Sequence, residues 1–287
     1  MAELLKGIEV ANAMKQQLID KNNELTARGV APCLGIVRVG ERQDDLAYEK
    51  GVLKRFEGLG VKTAVFPLPA DITQKDFERE FAIINANDSI HGILLFRPLP
   101  KSLDEEPIKR ILNPEKDMDC MCPENIAKVF MGDKSGYAPC TPMAVVELLK
   151  HFGIPLAGKD VALAGRSMVV GKPLSMLLLG ENATVTICHS KTADLPEKCR
   201  KADIVIAAVG VAKFIKKEFI KPGAVVIDVG INVDESGNMC GDVDFDEVEP
   251  IASKITPVPG GVGTVTTSVL AKHTLRAAEK TLQILRE

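Results

Sequence analysis

The sequence predicts an α/β protein of two α/β domains, the second a Rossmann-like, doubly wound parallel sheet. Three observations carry that expectation. The stretch DVALAGRSMVVGKP, Asp160 to Pro173, runs an apolar strand into a glycine turn and then into a helix. Downstream lie three short apolar runs, Ala183 to Ser190, Ala202 to Gly210 and Gly223 to Asn232, each ending in polar or glycine residues, as parallel strands do. Upstream, apolar runs alternate with helix-period segments, the mark of a further α/β layer.

From the start of the chain, Val10, Met14, Leu18 and Leu25 keep helical spacing within Gly7 to Arg28, and Gly29 stops the helix. A strand from Cys33 to Gly40 follows, then a helix from Asp44 to Leu59, a strand from Val61 to Leu68, a helix from Thr73 to Asn87 and a strand from His91 to Phe96. The tract around Pro98, Pro100 and Pro107 and the segment Pro114 to Pro123 show no period and read as loops, where binding groups are expected. A connecting helix runs from about Thr141, as N-cap, with Pro142 in its first turn, to Phe152. Near the end, Ile255 to Leu270 reads as a proline and glycine loop, with Gly260, Gly261 and Gly263 allowing close backbone approach, before a terminal helix through Leu275 to Leu285.

The central stretch reads as a nucleotide turn. Its strand is Val161 to Ala164, and Gly165, Arg166 and Ser167 form a turn of small residues where helix N–H groups can face a pyrophosphate. The spacing is a degenerate G-x-G-x-x-G, with Ser167 for the second glycine and Val170 for the third. Ligands of such sheets sit beyond the carboxyl ends of the strands, so this turn, His189 and Ser190, Gly210 and Gly230 to Asn232 should line one crevice. No acidic residue ends the second strand; His189 and Ser190 stand there and Arg166 is in the turn. A cationic, hydroxyl-bearing pocket suits a 2′-phosphate, so the expected cofactor is NADP.

The 287 residues are 46% hydrophobic and 26% charged, enough for two ordinary domains and too apolar for disorder. A net charge of −3, with no basic and aromatic interleaving, argues against nucleic acid. No stretch approaches the roughly 18 to 20 apolar residues of a membrane span, and a cytoplasmic protein without a membrane partner is expected. Seven cysteines at irregular spacing read as reduced thiols; Cys120 and Cys122 form C-x-C without partners, and no metal site is expected.

Ordered motifs give a further resemblance: VGE at Val39 to Glu41 with Tyr48 after it, PLP at Pro98 to Pro100, PEKDMD at Pro114 to Asp119, PCTP at Pro139 to Pro142, GRSMVVGKP, CHS, DVGIN, GDVDF at Gly241 to Phe245 and TPVPGGVG at Thr256 to Gly263. Over essentially its whole length the chain resembles the methylenetetrahydrofolate dehydrogenase/cyclohydrolase family. The resemblance implies a folate-binding catalytic domain, residues 1–142 with 271–287, an NADP-binding domain, residues 143–270, and a folate cleft between them, usually in a homodimer. It implies oxidation of 5,10-methylenetetrahydrofolate with NADP, followed by hydrolysis of the methenyl product. By position, Tyr48 would be the tyrosine that stacks on the folate and Asp119 the carboxylate holding the pterin. Pro259, Gly260 and Gly261 would form a wall of the folate site, and Gly165, Arg166, Ser167, Ser190, Ile231 and Gly263 would contact NADP.

The chain departs from the family pattern where hydrolysis is carried out. Four residues after the tyrosine the family has a lysine; here Val52 stands. Lys50 and Lys54 lie two and six residues on, roughly the opposite side of a helix. The glutamine and leucine before PLP are Phe96 and Arg97. Asp45 replaces a serine, Cys120 and Met121 replace a glycine and an aromatic residue, and Thr264 replaces a proline. Hydride transfer depends mainly on positioning, whereas hydrolysis needs an activated water and a proton relay. The expectation is therefore a dehydrogenase with weak or absent cyclohydrolase activity. The alternatives are a fully bifunctional enzyme with a base re-supplied by Arg97 or Asp45, and a non-catalytic folate- or nucleotide-binding paralogue.

Overall fold

The computed structural model describes residues 1–284, so Leu285 lies outside the described residues. The chain forms two compact units, residues 1–13 with 139–266, and residues 14–138 with those from 267 onward.

The unit containing residues 14–138 is built on a three-stranded parallel sheet in the order Lys62–Leu68, Cys33–Val39, Gly92–Leu95. The middle strand is buried throughout, which explains its unbroken apolar run; Ile36 pairs with Val65 on one side and Leu94 on the other. Crossover helices Gln43–Glu57 and Gln74–Ala86 join the strands, the second capped by Thr73, whose Oγ1 accepts the Asp76 N–H. Val37, Phe77, Phe81, Ile93, Ile108 and Met121 share its core. Two helices are absent from the sequence reading, Glu106–Ile111 within the proline tract and Pro123–Met131 from the end of the unperiodic segment onward, each with a proline in its first turn.

The other unit carries a six-stranded sheet, parallel throughout, in the order Glu3–Leu4, Lys254–Ile255, Val225–Asp228, Ile204–Ala207, Asp160–Ala164, Thr184–Cys188. Asp160–Ala164 comes first among the last four of these in the chain yet lies between Ile204–Ala207 and Thr184–Cys188. The strand order therefore reverses beside it, and the crevice at its carboxyl end is the topological switch point. Ala162, Val205, Ala207, Val226 and Ile255 pack in its core with Phe219 and Val248.

Three expectations change. Residues 1–13 pack with the six-stranded unit, because Glu3 and Leu4 pair with Lys254 and Ile255 at the sheet edge. The connecting helix is Cys140–His151 with Pro139 at its N-cap, so Thr141 lies inside the first turn and does not cap it. The last helix begins at Val262 and runs to Ile284, so Val262 to Leu270 are helical rather than loop. All seven cysteines are buried and none is in a disulfide, no described helix is long and apolar enough to cross a membrane, and the described residues contain no cluster suited to a metal ion.

Candidate active site

In the three-stranded unit, Tyr48 sits on the helix Gln43–Glu57 and is 38% exposed. One turn on, Val52 is fully buried, while Lys50 and Lys54 point to solvent. Phe96, directly after the strand Gly92–Leu95, is 6% exposed and its ring lies 5.5 Å from that of Tyr48, tilted by 43°. The positions of the family's lysine and glutamine are thus filled by an aliphatic and an aromatic side chain beside the tyrosine.

Both candidates for a replacement base are engaged in ion pairs. Arg42 donates to Asp45 Oδ1 at 3.0 Å and, through its other terminal nitrogen, to the Pro98 carbonyl at 3.0 Å. Asp45 is therefore a buried half of a clamp tying the helix start to the proline loop. Arg97 contacts Asp119, Nη2 to Oδ2 at 3.5 Å, and a guanidinium has no lone pair with which to take a proton.

Asp119 owes its position to a neighbour that sequence reasoning passed over. Asp117 is buried and accepts the N–H groups of Met121 and Cys122 and the Asn125 side-chain amide, each at 2.9 Å. Cys120 adopts a left-handed backbone (φ 58°) between them. This turn turns Asp117 inward and leaves Asp119 partly exposed. Burial, reinforced by the Asp117 carboxylate, pushes the Cys120 and Cys122 thiols well above their ordinary range, so both stay protonated.

At the switch point of the six-stranded unit, Gly165 leaves its strand at φ 137°, and a Cβ there would stand 2.2 Å from the Ala208 carbonyl oxygen. Only glycine fits. Ser167 Oγ accepts the Val170 N–H at 3.1 Å as the helix Gly171–Gly180 begins. The third glycine of the fingerprint is Gly171, not Val170: a Cβ on Gly171 would meet the Gly165 carbonyl oxygen at 2.3 Å, and this contact lets the helix start so close to the strand. Arg166 and Ser190 are exposed at the same edge. His189 is held in a turn, its N–H donating to Thr192 Oγ1 and its Nδ1 accepting the Lys191 N–H.

Two carboxylates unforeseen from the sequence shape the rest of this crevice. Asp242 accepts the N–H groups of Val209, Gly210 and Val211, at 2.6 to 3.1 Å, and the Asn232 amide at 2.9 Å, fastening the loops after two adjacent strands. Asp228 accepts the Gly230, Asp242 and Val243 N–H groups. Burial pushes its carboxyl up to about 6 against the pull of those donors. Their available signal was a short carboxylate beside glycine at a strand end, in DVG and GDVD.

The loops so fastened leave Ile231 67% exposed, and a Cβ on Gly263 would come within 3.7 Å of its Cδ1. In the neighbouring loop Pro259 and Gly260 are exposed, with Gly260 at φ 104°. Gly261 meets its own chain instead, since a Cβ there would lie 2.5 Å from the Pro257 carbonyl oxygen. The glycine-only turn, the helix start packed on it and the exposed arginine and serine fit a phosphorylated dinucleotide.

Comparison with known proteins agrees across the chain. The family described as tetrahydrofolate dehydrogenase/cyclohydrolase matches with its catalytic domain over residues 5–119 and its NAD(P)-binding domain over residues 139–282. A relative from Carboxydothermus hydrogenoformans, named bifunctional protein FolD, is 56% identical over 281 residues, covering 97% of this chain and 98% of its own. The crystal structure of a bifunctional FolD methylenetetrahydrofolate dehydrogenase/cyclohydrolase from Campylobacter jejuni superposes with a TM-score of 0.95 at 39% identity, covering 98% and 100%. A FolD enzyme from Trypanosoma brucei, solved with NADP cofactor and inhibitor, gives 0.92 at 37% identity, covering 98% of each chain.

Proposed function

The chain belongs to the tetrahydrofolate dehydrogenase/cyclohydrolase family and is a methylenetetrahydrofolate dehydrogenase, and from that premise we propose that it uses NADP and that its cyclohydrolase activity is weak or absent. The observation that carries the second part is the burial of two apolar side chains where a proton relay would stand, Val52 one helical turn after Tyr48 and Phe96 with its ring against that of Tyr48.

The two reactions ask different things of the protein. Oxidation moves a hydride, hydrogen with its electron pair, off the bridging methylene carbon, leaving the methenyl cation; no proton changes hands there. NADP, when bound, supplies the hydride acceptor. Gly165, Ser167 and the start of the helix Gly171–Gly180 would hold its pyrophosphate, Arg166 and Ser190 its 2′-phosphate, and Ile231 and Gly263 would line its path. Tyr48 would stack on the folate ring, Asp119 would accept pterin N–H bonds, and Pro259 with Gly260 and Gly261 would wall the folate site. Positioning of this kind suffices for hydride transfer. Hydrolysis adds water to the methenyl carbon and must release a proton, and general acid–base catalysis there contributes typically about 10² to 10⁴-fold. Val52 and Phe96 can neither donate nor accept one.

A second reading, full bifunctionality, is favoured by the names of relatives sharing over half their residues with this chain. One assay separates the two: methenyl absorbance after methylenetetrahydrofolate and NADP are mixed with the protein. Absorbance that rises and persists supports the proposal; a rise followed by enzyme-dependent decay supports bifunctionality. We further propose a cytoplasmic homodimer, whose dimeric state sedimentation of the purified chain would test.

A further inference from the structure

Two substitutions in the tyrosine region add a charge, Asp45 and Arg97, and Arg97 alone adds a cation. It stands where the family pattern has leucine, and its side chain is four-fifths buried. A guanidinium has five N–H donors in a planar fork, and satisfied buried arginines usually grip a carboxylate with two of them. Among the described residues Arg97 makes one polar contact, the single 3.5 Å approach to Asp119 Oδ2, at the outer limit of a hydrogen bond. No Arg97 nitrogen is both buried and without a partner, so the remaining N–H groups of the fork reach the surface beside Asp119, where a ligand can meet them.

The two side chains together present a carboxylate, which accepts, next to a guanidinium, which donates. A 2-amino-4-oxo pterin offers the complementary edge: its 2-amino group and N3–H donate, and its 4-oxo group accepts. We infer that Arg97 is a substrate-binding residue that donates to the 4-oxo group of the pterin while Asp119 takes the neighbouring N–H groups, so that the pair selects oxo- over amino-pterins. The inference rests on the reading of Asp119 as the pterin carboxylate. Leucine at this position could exclude water but could not tell an oxygen from an amino group.

The test titrates the full-length protein, in the presence of NADP, with folic acid and with its 4-amino counterpart, aminopterin, which differs at that one group. Wild type should bind folic acid at least about tenfold more tightly. Arg97→Leu should cut that preference to about threefold or less, and Arg97→Lys should retain an intermediate part, with NADP affinity unchanged as the check that each variant is folded. The 4-amino ring also alters what N3 offers Asp119, so the deciding quantity is the change in preference between proteins. If Arg97→Leu weakens both ligands alike and leaves the preference intact, Arg97 only steadies Asp119 and the inference falls. It falls equally if wild type shows no preference. Failure of wild type to bind either folate while still binding NADP would instead overturn the reading of the folate site, and this inference with it.

Discussion

The two units hold their chemistry in different currencies. At the switch point of the six-stranded sheet the groups that matter are backbone: a turn only glycine can make at Gly165, a helix seated on Gly171, and loops held by carboxylates that accept main-chain N–H groups. In the three-stranded unit the proposed chemistry falls to single side chains, Tyr48, Val52, Phe96, Arg97 and Asp119, on a scaffold fixed by others such as Asp117 and the Arg42–Asp45 clamp. A backbone site can change only with its fold. A side-chain site can lose one reaction and keep another, because Val and Phe pack where Lys and Gln would stand.

The largest effect should come from breaking the backbone site. Gly165→Ala puts a Cβ on the Ala208 carbonyl and holds alanine at a φ it rarely adopts, so NADP affinity should fall by about 100-fold or more, while folate binding and circular dichroism are retained. Retained NADP affinity would mean that the turn is more plastic than this contact allows.

The scaffold of the side-chain site has its own sensitivity. His273 is buried, its Nδ1 3.1 Å from the Met118 carbonyl oxygen, and burial depresses its pKa to about 4. Its neutral form contributes stability that is complete above the unfolded value of about 6.5 and is lost as pH falls through about 4, because the unfolded chain takes up the proton first. Over that window the loss should approach about 3 kcal/mol. Denaturant titrations of His273→Gln should show a shallower decline with acid than wild type; equal slopes would place the acid sensitivity elsewhere.

Restoring the missing relay sharpens the contrast further. Val52→Lys with Phe96→Gln should raise methenyl hydrolysis by about tenfold, a modest share of what acid–base catalysis supplies, with dehydrogenation little changed. Val52→Lys alone should do less and should destabilise, since it buries an ammonium without the partner that sets its pKa. If wild type already hydrolyses methenyltetrahydrofolate well above the solvent rate, another group carries the proton.

The smallest effect tests a side chain proposed, together with Ser190, to give the backbone site its selectivity. Arg166→Ala should cost NADP roughly fivefold to tenfold in affinity and leave NAD nearly unaffected, as expected for one exposed charge-assisted bond. Equal losses for both dinucleotides would remove Arg166 from the 2′-phosphate.

What could be read in advance follows the same division. The parallel strands were legible because burial on both faces leaves continuous apolar runs, and the glycine turn because its geometry excludes other residues. The helices Glu106–Ile111 and Pro123–Met131 were hidden by the very prolines that start them: Pro107 and Pro123 look like breakers, yet a first-turn proline gives up no hydrogen bond. Gly171 lies one position beyond the fingerprint's third glycine, where the spacing puts Val170. Asp117, Asp228 and Asp242 were missed because a carboxylate that organises backbone looks, in sequence, like one that meets solvent. Arg97 was visible as a departure, but its approach to Asp119 spans 22 residues and needed the fold.

The edge strand Glu3–Leu4 has a consequence for how the chain is made. Its partner, Lys254–Ile255, lies about 250 residues later, so these residues stay unpaired until that distant segment has been made and the sheet can take them in. Residues 14–138 can gather their three strands long before that, so the unit that holds Glu3–Leu4 closes its sheet after the other.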